Sequence, residues 1–165
     1  MAHIVHTFKT TFAGEELTVE TGRTSELTNG SCWVRYGDTI VMANVTAAAK
    51  PREGIDFFPL NIDYEEKMYS VGKIPGAFLK RESRPTEHAT LTARMIDRPL
   101  RPMFPKDMRN DVSIVTTVLS CDIDHAPEIL AFLAASIAVA ISDIPINGTV
   151  AAVSVGLVDG KLVLN

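Results

Sequence analysis

The sequence predicts an α+β domain, with mixed sheets packed on helices. Three observations carry this. Residues 4–64 alternate β-branched and aromatic runs with short turn signals. Two helical patterns, at residues 85–98 and 127–142, enclose one strand pattern. Residues 149–164 return to strand chemistry around Asp159-Gly160.

Ile4 to Phe12 and Glu16 to Glu20 read as strands around the turn Ala13-Gly14-Glu15. Ser31 to Tyr36 and Thr39 to Ala47 read as a hairpin over Gly37-Asp38. Val34, Tyr36, Ile40, Val41, Val45 and Thr46 supply the residue types that fit a pleated, half-buried surface. Phe58 to Tyr64 is a further strand. A long connection follows, Met68 to Arg84, carrying Gly72, Pro75 and Gly76. Connections of this length inside a compact domain are uncommon and often functional.

A helix should come next. Pro85 suits its first turn, Thr86 or Ser83 can cap it, and Glu87 complements the dipole. Ala89, Ala93, Ile96 and Leu100 mark a buried stripe. Pro99 disfavours helical geometry at Arg98, so the regular helix is expected to end or kink there. Arg94, Arg98 and Arg101 share a face if the helical path persists through Pro99. Asp111 to Cys121 is another strand. Pro127 to Ser142 is a helix apolar almost all round, too short and too polar at Glu128 to span a membrane. Ala131, Ala134, Ala135 and Ala138 would let it lie close on a sheet, as the central core helix. Thr149 to Val158 and Lys161 to Leu164 close the chain as a hairpin. No repeat or linker interrupts this order. The chain stops within an apolar strand pattern, Val163-Leu164-Asn165, and reads as a truncated fragment.

The chain has 165 residues, 46% hydrophobic and 22% charged, the balance of a single globular domain rather than a disordered segment. No basic region and apolar run open it, and the two cysteines, Cys32 and Cys121, lack partners at metal spacing. A cytoplasmic protein with reduced, packed thiols is expected. Overall charge is −4, but it is uneven. Residues 80–109 hold eight bases and four acids, so this window is +4 and the remainder −8. Such an island can attract a polyanion locally; it can equally be a solvated face with internal ion pairs.

Generic motifs are missing. Gly72-Lys73-Ile74-Pro75-Gly76 lacks the spacing of a phosphate loop, and His3, His6, His88 and His125 form no zinc signature. His125, just before the second helix, suits a capping or surface role. The stretch Gly76-Ala77-Phe78-Leu79-Lys80-Arg81 sets an aromatic and an aliphatic residue beside two bases on a glycine-flanked loop. That combination can stack on a base while neutralising phosphates. The alternative is a surface loop whose Phe78 tucks into the core.

At this point a family resemblance becomes specific. Gly54-Ile55-Asp56-Phe57-Phe58-Pro59-Leu60, Asp63-Tyr64-Glu65-Glu66, Gly72-Lys73-Ile74-Pro75-Gly76, Lys80-Arg81-Glu82, Arg84-Pro85, Leu91-Thr92-Ala93-Arg94 and Ile96-Asp97-Arg98-Pro99-Leu100-Arg101-Pro102 occur in that order. Together with Thr21-Gly22-Arg23 and Val34-Arg35-Tyr36-Gly37-Asp38-Thr39, they resemble the bacterial polynucleotide phosphorylases over essentially the whole chain.

The resemblance implies a ribonuclease PH-like fold, with residues 1–165 as most of the first core domain. The second core, KH and S1 domains would lie outside the chain. It implies phosphorolysis of single-stranded RNA from the 3′ end to nucleoside diphosphates, in messenger RNA turnover. Inorganic phosphate would be co-substrate and a divalent metal, Mg2+, cofactor. The parent would be a homotrimeric ring, a possible member of RNA-degradation complexes, with no membrane partner. Phe78, Leu79, Lys80 and Arg81 would line the channel entry. Leu79 stands where the family carries a second Phe, and Lys80 where it carries Arg, so stacking and a planar fork are lost there. Arg84, Arg94, Arg98 and Arg101 would extend the RNA track, although Arg94 has Asp97 and Glu87 within helical reach. The metal-binding carboxylates are expected near the hairpin Gly156 to Asn165. Asp159 belongs to its turn, so no catalytic residue is assigned within the chain. Two other readings stay open: an independently active ribonuclease PH-like exonuclease, and a purely structural ring subunit.

Overall fold

The computed structural model describes residues 4–76, 82 and 84–164. Eight strands and two α-helices follow in the order β1 (His6–Phe12), β2 (Glu15–Thr21), β3 (Gly30–Tyr36), β4 (Thr39–Pro51), β5 (Leu60–Glu66), α1 (Glu87–Leu100), β6 (Asn110–Ser120), α2 (Pro127–Ala140), β7 (Val155–Val158) and β8 (Lys161–Leu164). Single 3-10 turns occupy Met68–Val71 and Arg101–Met103. The main sheet runs β1-β2-β3-β4-β6-β5. Its neighbours are antiparallel except β5 and β6, which are parallel and joined through α1. This mixed sheet with helices on it is the α+β class expected.

Register explains the core. Ile62, Ile114, Val45 and Gly30 form one row across four strands; Tyr64, Thr116, Ala43 and Cys32 form the next. All eight are buried, because alternate residues on each strand face the helices. α2 covers this face with Ala131, Ala134, Ala135 and Ala138, none of them accessible to solvent. Small residues bring the two backbones together: the Cys32 thiol donates to the Ala134 carbonyl at 3.3 Å. A Cβ at Gly30 would lie 2.3 Å from the Ala138 carbonyl oxygen, so only glycine fits there.

Several boundaries differ from expectation. β4 runs on to Pro51, with a shift in its pairing between Ala47 and Pro51. β5 begins at Leu60, because Phe58 turns inward against Phe104, ring centroids 4.9 Å apart. Thr86 is the helix cap, its hydroxyl accepting from the Ala89 amide at 3.0 Å, so Pro85 precedes the cap instead of opening the first turn. Thr92 takes a buried place on α1, and Ala93 is only half-buried.

The helix does not stop at Arg98. It passes through Pro99 to Leu100, and the Arg101 amide still donates to the Asp97 carbonyl. Pro99 forfeits one backbone bond, but Ile96 and Leu100 are fully buried one turn apart. Burying each contributes roughly 1.5–3 kcal/mol, enough to hold the path. The closing hairpin is shorter than expected, since Thr149 to Ser154 are irregular, and β7 and β8 are exposed throughout.

Candidate nucleic-acid interface and the cavity behind it

α1 divides the basic island into two chemistries. Its inner stripe, Ala89, Thr92, Ile96 and Leu100, packs toward the sheet. Its outer face carries Leu91, 64% exposed, Met95, and the exposed Arg94 and Arg98. Among the described residues, neither arginine forms an ion pair, nor does the exposed Arg84 before the helix. Arg94 and Arg98 stand one turn apart, about 6 Å along the axis.

Arg101 differs, although the helical path does carry it onto that side. Its Nε and Nη2 donate to the Asp97 carboxylate at 3.1 and 2.6 Å. Nη1 donates to the Phe58 carbonyl and Nη2 to the Leu60 carbonyl, both at 3.1 Å. The guanidinium thus staples the end of α1 to the start of β5, and Asp97 is taken up by this pair rather than by Arg94. Phe78, Leu79, Lys80 and Arg81 lie outside the described residues.

Behind this surface, a cavity of about 540 Å³ opens where β5 and β6 end and α1 and α2 begin. Its wall includes Tyr64, Glu66, Met68, Glu82, Arg84 and Thr86. Glu66 is held twice: Thr86 Oγ1 donates to Oε2 at 3.1 Å, and His88 Nδ1 lies 2.8 Å from Oε1. The other imidazole nitrogen, Nε2, lies 3.3 Å from Glu128 in the first turn of α2. The Glu65 carboxylate accepts from Thr117 Oγ1 and pairs with Lys67, both at 3.1 Å. The Met68 amide donates to Glu82. Tyr64 is 3% exposed, and its hydroxyl has no hydrogen-bond partner among the described residues. Burial, reinforced by the negative charges of Glu128 and Glu66, pushes this phenol far above its usual range. Among the described residues no three His, Cys, Asp or Glu side chains gather to hold a metal ion.

His125 is neither a cap nor a surface group. α2 has Ala126 at its cap position, without a side-chain cap. The His125 ring is 15% exposed and bridges Asp122 at 3.1 Å and Glu15 at 3.0 Å. It stands edge-on to Tyr36, and a Cβ at Gly37 would come within 2.5 Å of it. The backbone carbonyl of His125 accepts from Thr39 Oγ1 at 2.7 Å. Its pKa is raised, chiefly by the hydrogen bond to Asp122, which outweighs the opposing effect of burial; the hydrogen bond to Glu15 adds to the rise. The residue ties the β1–β2 turn, the β3–β4 turn and the start of α2 together. Nothing in local spacing announces either this tie or the Glu66–His88–Glu128 chain, because each joins segments far apart in sequence.

Residues 14–145 match the sequence profile of the 3′ exoribonuclease family, domain 1. The chain is 58% identical over 158 residues to the polyribonucleotide nucleotidyltransferase of Ruminiclostridium cellulolyticum, and 63% identical over 158 residues to that of Clostridioides difficile. Each match covers 96% of the chain but 22% of the relative, so the chain spans about a fifth of the length of these proteins. Among solved structures it is similar to rice (Oryza sativa) Rrp46, with TM-score 0.65 and 17% identity over 99% of this chain and 68% of that one. It is also similar to a chain of the Archaeoglobus fulgidus exosome with RNA bound to the active site, with TM-score 0.68 and 17% identity over 99% and 66%. At that identity the likeness is one of fold: the ribonuclease PH-like fold.

Proposed function

Because the chain belongs to the 3′ exoribonuclease family, as that family's domain 1, we propose that it is the first core domain of a bacterial polynucleotide phosphorylase and leads single-stranded RNA toward an active site elsewhere in the parent. The parent degrades RNA from the 3′ end, with inorganic phosphate as co-substrate and Mg2+ as cofactor, releasing nucleoside diphosphates. It works in the cytoplasm as a homotrimer, alone or with partners of an RNA-degradation complex. Residues 1–165 supply the first core, and the second core, KH and S1 domains belong to the rest of the protein. No helix among the described residues is long and apolar enough to cross a membrane.

The observation that carries this reading is the pair of exposed arginines, Arg94 and Arg98, on one face of α1 without ion pairs to described residues. Free guanidinium groups in a row neutralise successive phosphates and need no base identity. Arg84 adds a third phosphate contact, and Phe78, Leu79, Lys80 and Arg81, outside the described residues, take the channel-entry role that the family resemblance implies. Leu91 and Met95 give the flanking surface apolar character suited to the faces of bases. Arg101 stands at the far end of the track and serves it first by fixing the helix.

The test is phosphorolysis. The purified chain is incubated with a single-stranded homopolymer RNA, phosphate and magnesium, with the full-length enzyme as control. No diphosphate release by the folded chain is expected. Release would place an active site within these residues and overturn the guiding role.

A further inference from the structure

We propose that the cavity where β5 and β6 end is a binding site for a small organic cation, an ammonium carried on an apolar body. This goes beyond the guiding of RNA and does not depend on it. The volume of about 540 Å³ falls in the range of small-molecule pockets. Met68, Val71, Ala89, Val118 and Pro127 give the wall an apolar stretch suited to a hydrocarbon body. The Tyr64 hydroxyl fixes where the polar group of the guest docks. Tyr64 belongs to the same wall, is 3% exposed, and its hydroxyl has no hydrogen-bond partner among the described residues. Buried hydroxyls are ordinarily hydrogen-bonded, so this one marks a polar contact that a guest completes.

The charge of the guest follows from the surroundings of that hydroxyl. Asp63, Glu65, Glu66 and Glu82 line the cavity with Lys67 and Arg84, four acids against two bases. Lys67 is taken up by Glu65 at 3.1 Å, and Arg84 is exposed to solvent. Glu66 is an exposed wall residue whose two oxygens meet Thr86 and His88, and each carboxylate oxygen has room for a second donor. Among the described residues Glu82 accepts only the Met68 amide, through Oε1. Glu128, outside the lining, and Glu66 set a negative field at the Tyr64 hydroxyl, which stays protonated. The positive ends of α1 and α2 do not reverse this sign, since Glu87 and Glu128 stand in their first turns. Such a wall repels a carboxylate or a phosphate. An ammonium can donate to the phenol oxygen and to wall carboxylates together, while its hydrocarbon lies on the apolar stretch.

Three probes of one shape test the site: cyclohexylmethylammonium, the neutral cyclohexylmethanol and the anionic cyclohexanecarboxylate. Each is titrated into the chain and followed through the backbone amide NMR shifts of Tyr64, Ala89 and Cys121. The ammonium should saturate these shifts, the alcohol should bind about tenfold more weakly, and the carboxylate should give no saturable change. Tyr64→Phe should weaken the ammonium about fivefold through loss of one hydrogen bond. The same variant should be no less stable than wild type in urea, because it removes a buried hydroxyl that the protein itself does not satisfy. A merely structural role for Tyr64 would show the reverse, full affinity with lost stability. Glu66→Gln should weaken the ammonium as well, with Glu82→Gln as the second variant should the first fail to fold. Glu53→Gln, an exposed acid of the β4–β5 connection, makes the same change of net charge and should leave binding as it is. Alcohol or carboxylate binding as tightly as the ammonium would overturn the proposal. So would an ammonium that never saturates, or one that binds Tyr64→Phe as well as wild type.

Discussion

Replacing Arg94 and Arg98 by Gln in the full-length enzyme should flatten the salt dependence of RNA binding without loosening the fold. The magnitude follows from the contacts. Both side chains are exposed and unpaired among the described residues, so both are free to neutralise a phosphate. Each phosphate neutralised on a single strand contributes about −0.7 to the slope of log affinity against log salt. Losing two makes the slope shallower by about 1.4, so a fourfold rise in salt costs the wild type about sevenfold more affinity than the variant. Arg101→Gln is the internal contrast. It strips the Asp97 carboxylate and the carbonyls of Phe58 and Leu60 of their donor. Partial exposure of the pair limits the loss to about 2 kcal/mol of stability, and the slope should hardly move. Fluorescence anisotropy of a labelled homopolymer across a salt series reads the slope, and urea unfolding of the chain reads stability. An unchanged slope in the Arg94/Arg98 variant would refute the track. A slope flattened equally by Arg101→Gln at full stability would refute the division of labour along α1.

Three further outcomes are expected. Gly30→Ala drives a methyl to 2.3 Å from the Ala138 carbonyl and should cost about 3 kcal/mol in urea unfolding, whereas Gly156→Ala, with open space around it, should be near neutral. A Gly30 variant as stable as wild type would mean that α2 does not lie so close. The raised His125 pKa adds stability that is complete below the ordinary histidine value near 6.5 and lost as pH rises through the higher folded value. The lowered Asp122 pKa adds stability present above its ordinary value near 3.8 and lost as pH falls through the lower folded one. Wild type should therefore lose stability from mildly acidic to alkaline pH more steeply than His125→Gln, and parallel profiles would exclude the tie. Burial pushes the Cys32 thiol up to about 12 and also raises Cys121. A thiol reagent near neutral pH should label the native chain slowly, Cys121 first, and both residues rapidly in urea; mass spectrometry of the labelled peptides would expose any early reaction at Cys32.

Local pattern carried most of the fold. The β3–β4 hairpin, β6 and α2 lie where β-branched runs, turn pairs and apolar density put them, because those signals act within one turn or one pleat. The misses share a cause. Pro99 is expected to end or kink α1 by its local sterics; the helix does not end there, because tertiary burial of Ile96 and Leu100 holds the path. Phe58 has strand chemistry, yet its ring packs on Phe104, which lies 46 residues later in the sequence.

The interface divides in the same way. Sequence alone determined the α+β class, the family resemblance, the basic island and the common helical side of Arg94, Arg98 and Arg101, since spacing on a helix fixes angular position. Only the tertiary structure decided which of these bases are free. Arg101 is engaged because the Phe58 and Leu60 carbonyls arrive beside it, 43 and 41 positions away in the chain. Glu66 meets His88 across 22 positions, and Glu15 meets His125 across 110. A helical or strand period reports which way a side chain points from its own element. Its partners are set by how the sheet and helices pack, and that is where charge, burial and the orphan hydroxyl of Tyr64 acquire their meaning.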